Sequence, residues 1–90
     1  KNNISPILLA AMNGNNKILK LMTDFVDVNT SDKIGNTVLN HAIVHRHFST
    51  VKVLINELLA SKNINNIFGT SALDFAIQIK DNDIVNLLLD

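Results

Sequence analysis

Apolar positions gather into two kinds of block that alternate along the chain at a fixed interval. The first kind is Ile7-Leu8-Leu9-Ala10, which recurs as Val38-Leu39-Asn40-His41-Ala42 and as Ala72-Leu73-Asp74-Phe75-Ala76. The second kind begins eight residues after each of those alanines, as Ile18-Leu19-Lys20-Leu21-Met22, Thr50-Val51-Lys52-Val53-Leu54 and Ile84-Val85-Asn86-Leu87-Leu88. Apolar residues at i, i+1, i+3 and i+4 make one broad stripe on a helix, so each block predicts a short amphipathic helix. Helices below about 12 to 15 residues rarely hold alone in water, so these must stack to bury their stripes.

A hydroxyl residue stands before each first block, at Ser5, Thr37 and Ser71. At an N-cap such a hydroxyl accepts a hydrogen bond from a free N–H of the first turn, and Pro6 suits the first helical position because its missing N–H costs nothing there. The spacing of Ser71 and Asp74 resembles a capping box. First helices are therefore predicted at Pro6 to Asn13, Val38 to His45 and Ala72 to Ile79, the first ended by Gly14 as a left-handed cap. Second helices are predicted at Asn16 to Asp24, Ser49 to Leu59 and Asp83 to Asp90. The second copy runs longer there because Asn56 to Lys62 carries extra residues. The polar segments Asp27 to Gly35 and Asn63 to Gly69 each end in glycine and read as projecting hairpin turns.

Gly35-Asn36-Thr37-Val38-Leu39-Asn40-His41-Ala42 lines up with Gly69-Thr70-Ser71-Ala72-Leu73-Asp74-Phe75-Ala76, and more weakly with Asn3-Ile4-Ser5-Pro6-Ile7-Leu8-Leu9-Ala10. The hydroxyl residues Ser5, Thr37 and Ser71 lie 32 and 34 residues apart. With Asp27-Val28-Asn29 and Asn63-Ile64-Asn65 as a further recurring element, the chain resembles the ankyrin repeat family, whose period is roughly 33 residues. The resemblance implies an all-α solenoid of helix-turn-helix units with hairpin-like connecting turns. It implies one domain over 1–90, with repeats at about 3–34, 35–68 and 69–90, cut from a longer chain. The sequence departs from the family pattern where a histidine follows T-P-L, holding Leu8, Asn40 and Asp74 instead. It departs again at the turn glycine, kept as Gly14 but replaced by Arg46 and Lys80, where a left-handed non-glycine residue costs about 1 kcal/mol.

Composition narrows the function. Eight basic and eight acidic side chains cancel to a net charge of zero, so no overall field draws the chain to nucleic acid or to an anionic membrane, and neither is an expected partner. Cysteine is absent, which removes disulfides and thiolate chemistry and fits an intracellular, cytoplasmic setting. His41 and His45 share a helix face at a spacing suited to zinc, but Ala42 stands where a metalloprotease motif carries its glutamate, and a third ligand is not evident. Ser5, Thr37 and Ser71 have no paired base or nucleophile elbow. The chain is not expected to be an enzyme, and no metal or cofactor is expected; a metal-dependent enzyme is the weakest of the rival readings.

A binding surface is what remains. The family resemblance implies contact with another protein through a concave face built from hairpin tips and first helices. Carried over position by position, that face holds Asn2, Ile4, Met12 and Asn13, then Lys33, Ile34, Asn36, Val44 and His45, then Ile67, Phe68, Thr70, Gln78 and Ile79. These positions are richer in apolar side chains than a free surface requires. The alternative is a structural unit that self-associates through the C-terminal leucines Leu87-Leu88-Leu89, since a terminal repeat normally turns a polar face outward.

Overall fold

The computed structural model describes residues 5–90. Among the described residues the chain forms three helical pairs. They are α1 (Pro6–Met12) with α2 (Asn16–Met22), α3 (Val38–Val44) with α4 (Phe48–Lys52), and α5 (Ala72–Gln78) with α6 (Asn82–Leu89). The first helices α1, α3 and α5 pack side by side, and one apolar core runs through all three pairs, from Ile7 and Leu19 through Leu39, Ile43 and Leu54 to Ile84. The all-α repeat architecture expected from the two-block period is the one observed.

Each first helix stops one residue before its expected end, because Asn13, His45 and Ile79 serve as C-caps. The same device closes all three. The residue after the cap is left-handed, at Gly14 (φ 68°), Arg46 (φ 62°) and Lys80 (φ 59°). Its N–H returns to Ala11, Ile43 or Ile77, while the next N–H reaches one residue further back, to Ala10, Ala42 or Ala76. This is the Schellman arrangement, which satisfies carbonyls that the helix end would otherwise leave free. Replacing Arg46, an exposed left-handed arginine, by glycine is expected to raise stability by about 0.5 to 1 kcal/mol. A urea titration reads this as a higher midpoint at unchanged slope, and a lower midpoint would contradict it.

The first helices start where expected, but one of the three expected hydroxyl caps is not made. Thr37 and Ser71 accept hydrogen bonds from the N–H groups of Asn40 and Asp74, and Asp74 returns a bond to the Ser71 N–H, completing the capping box. Ser5 makes no side-chain cap bond. Pro6 at the first helical position already removes one orphan donor and fixes φ, so the start is set without the hydroxyl.

The second helices start at Asn16, Phe48 and Asn82, and α2 ends at Met22, two residues before the expected Asp24. The extra residues of the second copy do lengthen its helix, but as a wider turn: α4 passes into a π-helical turn over Val53–Glu57, where the Leu58 N–H bonds the Val53 carbonyl. Leu59 then takes a left-handed conformation (φ 57°) that the sequence did not announce. The connection is also re-registered. Asn29 N–H bonds the Asp27 carboxylate, and Asn63 N–H bonds the Ser61 hydroxyl in the same way, so Ser61-Lys62-Asn63 is the counterpart of Asp27-Val28-Asn29. The match to Asn63-Ile64-Asn65 is thus two residues out, because a serine hydroxyl replaces the aspartate as turn acceptor.

Candidate functional site

Two hairpin fingers project between the helical pairs, and the same short-range chemistry builds both. In the first, the Asp32 carboxylate accepts the N–H groups of Ile34 and Asn36, and the Asp32 N–H bonds the Asn36 carbonyl. In the second, the Asn66 side-chain oxygen accepts from Phe68 and Thr70, and its N–H bonds the Thr70 carbonyl. A left-handed glycine closes each loop, Gly35 (φ 86°) and Gly69 (φ 78°). Asp32 and Asn66 are the organisers of the fingers, and the sequence reading passed over them. The signal was there: an Asx residue three positions before a glycine, twice, each able to bond its own backbone two residues on.

The fingers are joined to one another and to the helices. The Ile67 N–H donates to the Ile34 carbonyl at 2.8 Å, and the Asn66 amide donates to the Asn36 side-chain oxygen at 2.9 Å. Gly35 permits this approach, since a Cβ there would lie 3.0 Å from the Asn66 Cα as well as forcing a side chain into a left-handed conformation. Below the tips, His41 Nε2–H donates to the second oxygen of Asp32 at 3.0 Å, tying the first finger to α3. The fingers therefore stand as one ridge braced from behind.

The proposed contact positions divide into three groups on this frame. Lys33, Ile34, Ile67 and Phe68 are exposed on the tips, Phe68 at 73%. Asn13, Val44, His45 and Gln78 are exposed at the ends of the first helices. Met12, Asn36, Thr70 and Ile79 are half-buried: Asn36 is engaged by Asn66, and Ile79 packs against the core. Asn2 and Ile4 lie outside the described residues.

All three imidazoles donate to acceptor-only partners, which fixes one nitrogen of each as N–H. His41 bonds Asp32, His45 Nδ1 bonds the His41 carbonyl at 2.9 Å, and His47 Nε2 bonds the Met12 carbonyl at 2.7 Å. His47 thus links the start of α4 to the end of α1 in the preceding pair, with its ring 2.7 Å from where a Cβ on Gly14 would be. These are structural roles. Among the described residues no group of three or more histidines and carboxylates comes together as a metal site, and no helix is long and apolar enough to cross a membrane.

The repeat geometry has a counterpart among known proteins. A family profile described as ankyrin repeats, in three copies, matches residues 7–90. The chain belongs to the ankyrin repeat family. It is similar to the putative ankyrin repeat protein L215 of Acanthamoeba polyphaga mimivirus, 35% identical over 66 residues that cover 69% of this chain and 54% of that protein. It is also similar to inversin of Danio rerio, 39% identical over 51 residues, 53% of this chain and 5% of that protein. The chain thus spans about half the length of the viral relative and a small part of the fish one. Ankyrin repeats are generally protein–protein interaction modules and typically not enzymes. In this ankyrin array the fingers and helix closures form even where Arg46 and Lys80 replace the turn glycine, and a further departure sits at the family histidine. Leu8 replaces it in an apolar site, Asp74 rebuilds a bond to the cap, and the Asn40 side chain makes none among the described residues.

Proposed function

We propose that the chain binds a partner protein across its finger tips and the exposed ends of its first helices. The observation that supports this reading is the pairing of the two fingers. Ile34, Ile67 and Phe68 are large apolar side chains in water, yet the backbone that carries them is held by cross-finger hydrogen bonds before any partner arrives. Ordering a binding loop in advance removes much of the entropic cost of association. A rigid apolar ridge with polar residues around it is the kind of surface that supplies interface anchors.

Phe68 is the best single anchor, being the most exposed apolar side chain on the tips. Phe68→Ala is expected to weaken partner binding by about 1 to 2 kcal/mol or more with little change in stability. Lys52→Glu, at an exposed position of α4 that forms no ion pair among the described residues, is expected to leave binding unchanged. Lys20 is a poorer control, because its ammonium lies 3.0 Å from Glu57. The measurement is a titration of a partner captured on the wild-type chain against both variants. Binding that survives Phe68→Ala and fails with Lys52→Glu would move the interface to the second helices.

A further inference from the structure

A net charge of zero conceals an uneven placing of the charges. Two side-chain carboxylates fall on the fingers and first helices, Asp32 and Asp74, and both are turned to their own backbone. Asp32 accepts the N–H groups of Ile34 and Asn36 on one oxygen and His41 on the other, and Asp74 accepts the Ser71 N–H. The other acidic side chains, Asp24, Glu57 and Asp83 among them, lie on the second helices or in the turns beside them. The cations on the finger side are not engaged in this way. Lys33 on the first tip, Arg46 after α3 and Lys80 after α5 are exposed, and none forms an ion pair among the described residues. Two of the three are held under strain. The turn that closes a first helix needs no side chain, as Gly14 shows, yet Arg46 and Lys80 adopt the same left-handed backbone, which a Cβ disfavours. Closing the helix does not call for either residue, and what each adds is a positive charge.

Taking the finger tips and first-helix ends as the binding face, we propose that the partner presents an acidic segment there. Its apolar side chains seat on Ile34, Ile67 and Phe68, and carboxylates on either flank meet Lys33 at the tips and Arg46 and Lys80 at the helix ends. The helices α3 and α5 pack side by side, so the turns carrying Arg46 and Lys80 stand about 10 Å apart and present their charges together. A basic segment would find both local carboxylates already engaged and would face like charge, which costs affinity. Three separated cations make no continuous track for a phosphate backbone, so the anion that fits is a peptide and not a nucleic acid. Charges at the margin of an apolar centre act mainly on the rate of encounter and on the choice of partner.

The test is to pan a random peptide library displayed on phage against the wild-type chain and to measure binding kinetics of the enriched peptides. Enriched sequences should carry an aromatic or aliphatic centre flanked by Asp and Glu, and their association should slow several-fold from low to physiological salt. Changing Arg46→Gly and Lys80→Gly together should slow association several-fold and flatten its salt dependence, with dissociation little altered. Glycine relieves the left-handed strain, so this variant should be at least as stable as the wild type, and weaker binding by it is not unfolding. Lys33→Gln should act in the same direction from the tip. Phe68→Ala, run on the same peptides, separates the two readings. Neutral or basic peptides that are lost with Phe68→Ala would overturn the acidic partner and leave the binding face in place. Peptides indifferent to Phe68→Ala would overturn the face itself, and the acidic partner with it. Acidic peptides that associate equally fast with the wild type, the double glycine variant and Lys33→Gln would also overturn the proposal, as would an oligonucleotide that competes as well as the peptides do.

Discussion

Leu39→Asp is expected to unfold the domain. Leu39 is buried at the centre of the middle repeat, within the core that links α1, α3 and α5. A carboxylate placed there has no cation within the core to meet, and a buried charge without a partner costs about 3 to 5 kcal/mol. Losing the leucine's burial adds about 1.5 to 3 kcal/mol. A chain of 90 residues holds roughly 5 to 13 kcal/mol in all, so the substitution consumes most or all of its stability. Circular dichroism at the helical minima should collapse. The matched change Leu73→Asp falls at the same repeat position but on the half-buried end of the array, and should leave a folded, weakened protein. Equal damage from both would mean that the third repeat is covered in solution as fully as the second.

Asn40→Leu should act in the opposite direction, raising stability by about 1 to 3 kcal/mol. The Asn40 side chain is 1% exposed, and neither its oxygen nor its nitrogen finds a hydrogen-bond partner among the described residues. Its backbone N–H bonds Thr37, so the helix start does not depend on the amide. A buried polar group left unpaired bears its full desolvation cost, and removing it returns that cost. The chain contains its own precedent, since Leu8 occupies the equivalent position of the first repeat and is buried in the apolar core there. Chemical denaturation of the two proteins side by side gives the difference, as a shift in midpoint at constant slope. A midpoint that falls would show that the amide is bonded in solution.

The periodic part of this structure could be read from residue types alone. Two apolar blocks at a constant interval can only be buried by stacking helices, and hydroxyls, a proline and a glycine mark where those helices begin and end. What escaped the reading depends on atoms that the one-dimensional pattern does not place. The π-helical turn at Val53–Glu57 looks in sequence like a longer α-helix, because apolar residues continue through it at Leu54, Ile55, Leu58 and Leu59. The shift of the turn motif to Ser61-Lys62-Asn63 was hidden because a serine took over the work of an aspartate. At the candidate site, the exposure of Ile34, Val44 and Phe68 followed from their repeat positions, whereas the tucking of Ile79 against the core depends on three-dimensional packing. Of the two cross-finger bonds, the one from the Ile67 N–H to the Ile34 carbonyl joins only backbone groups, which every sequence has and none advertises.

The widened turn in the second repeat bears on where the extra length of that repeat goes. That repeat is two residues longer than the first, and the spare length is taken up between Val53 and the Ser61 turn. Past that point Asn66 builds its finger just as Asp32 does, and the Ile67 N–H still meets Ile34. The two spare residues change the girth of one helical turn and the path of one short connection, and the next finger still arrives in step. The extra length of this repeat is thereby uncoupled from the ridge that carries Ile34 and Phe68.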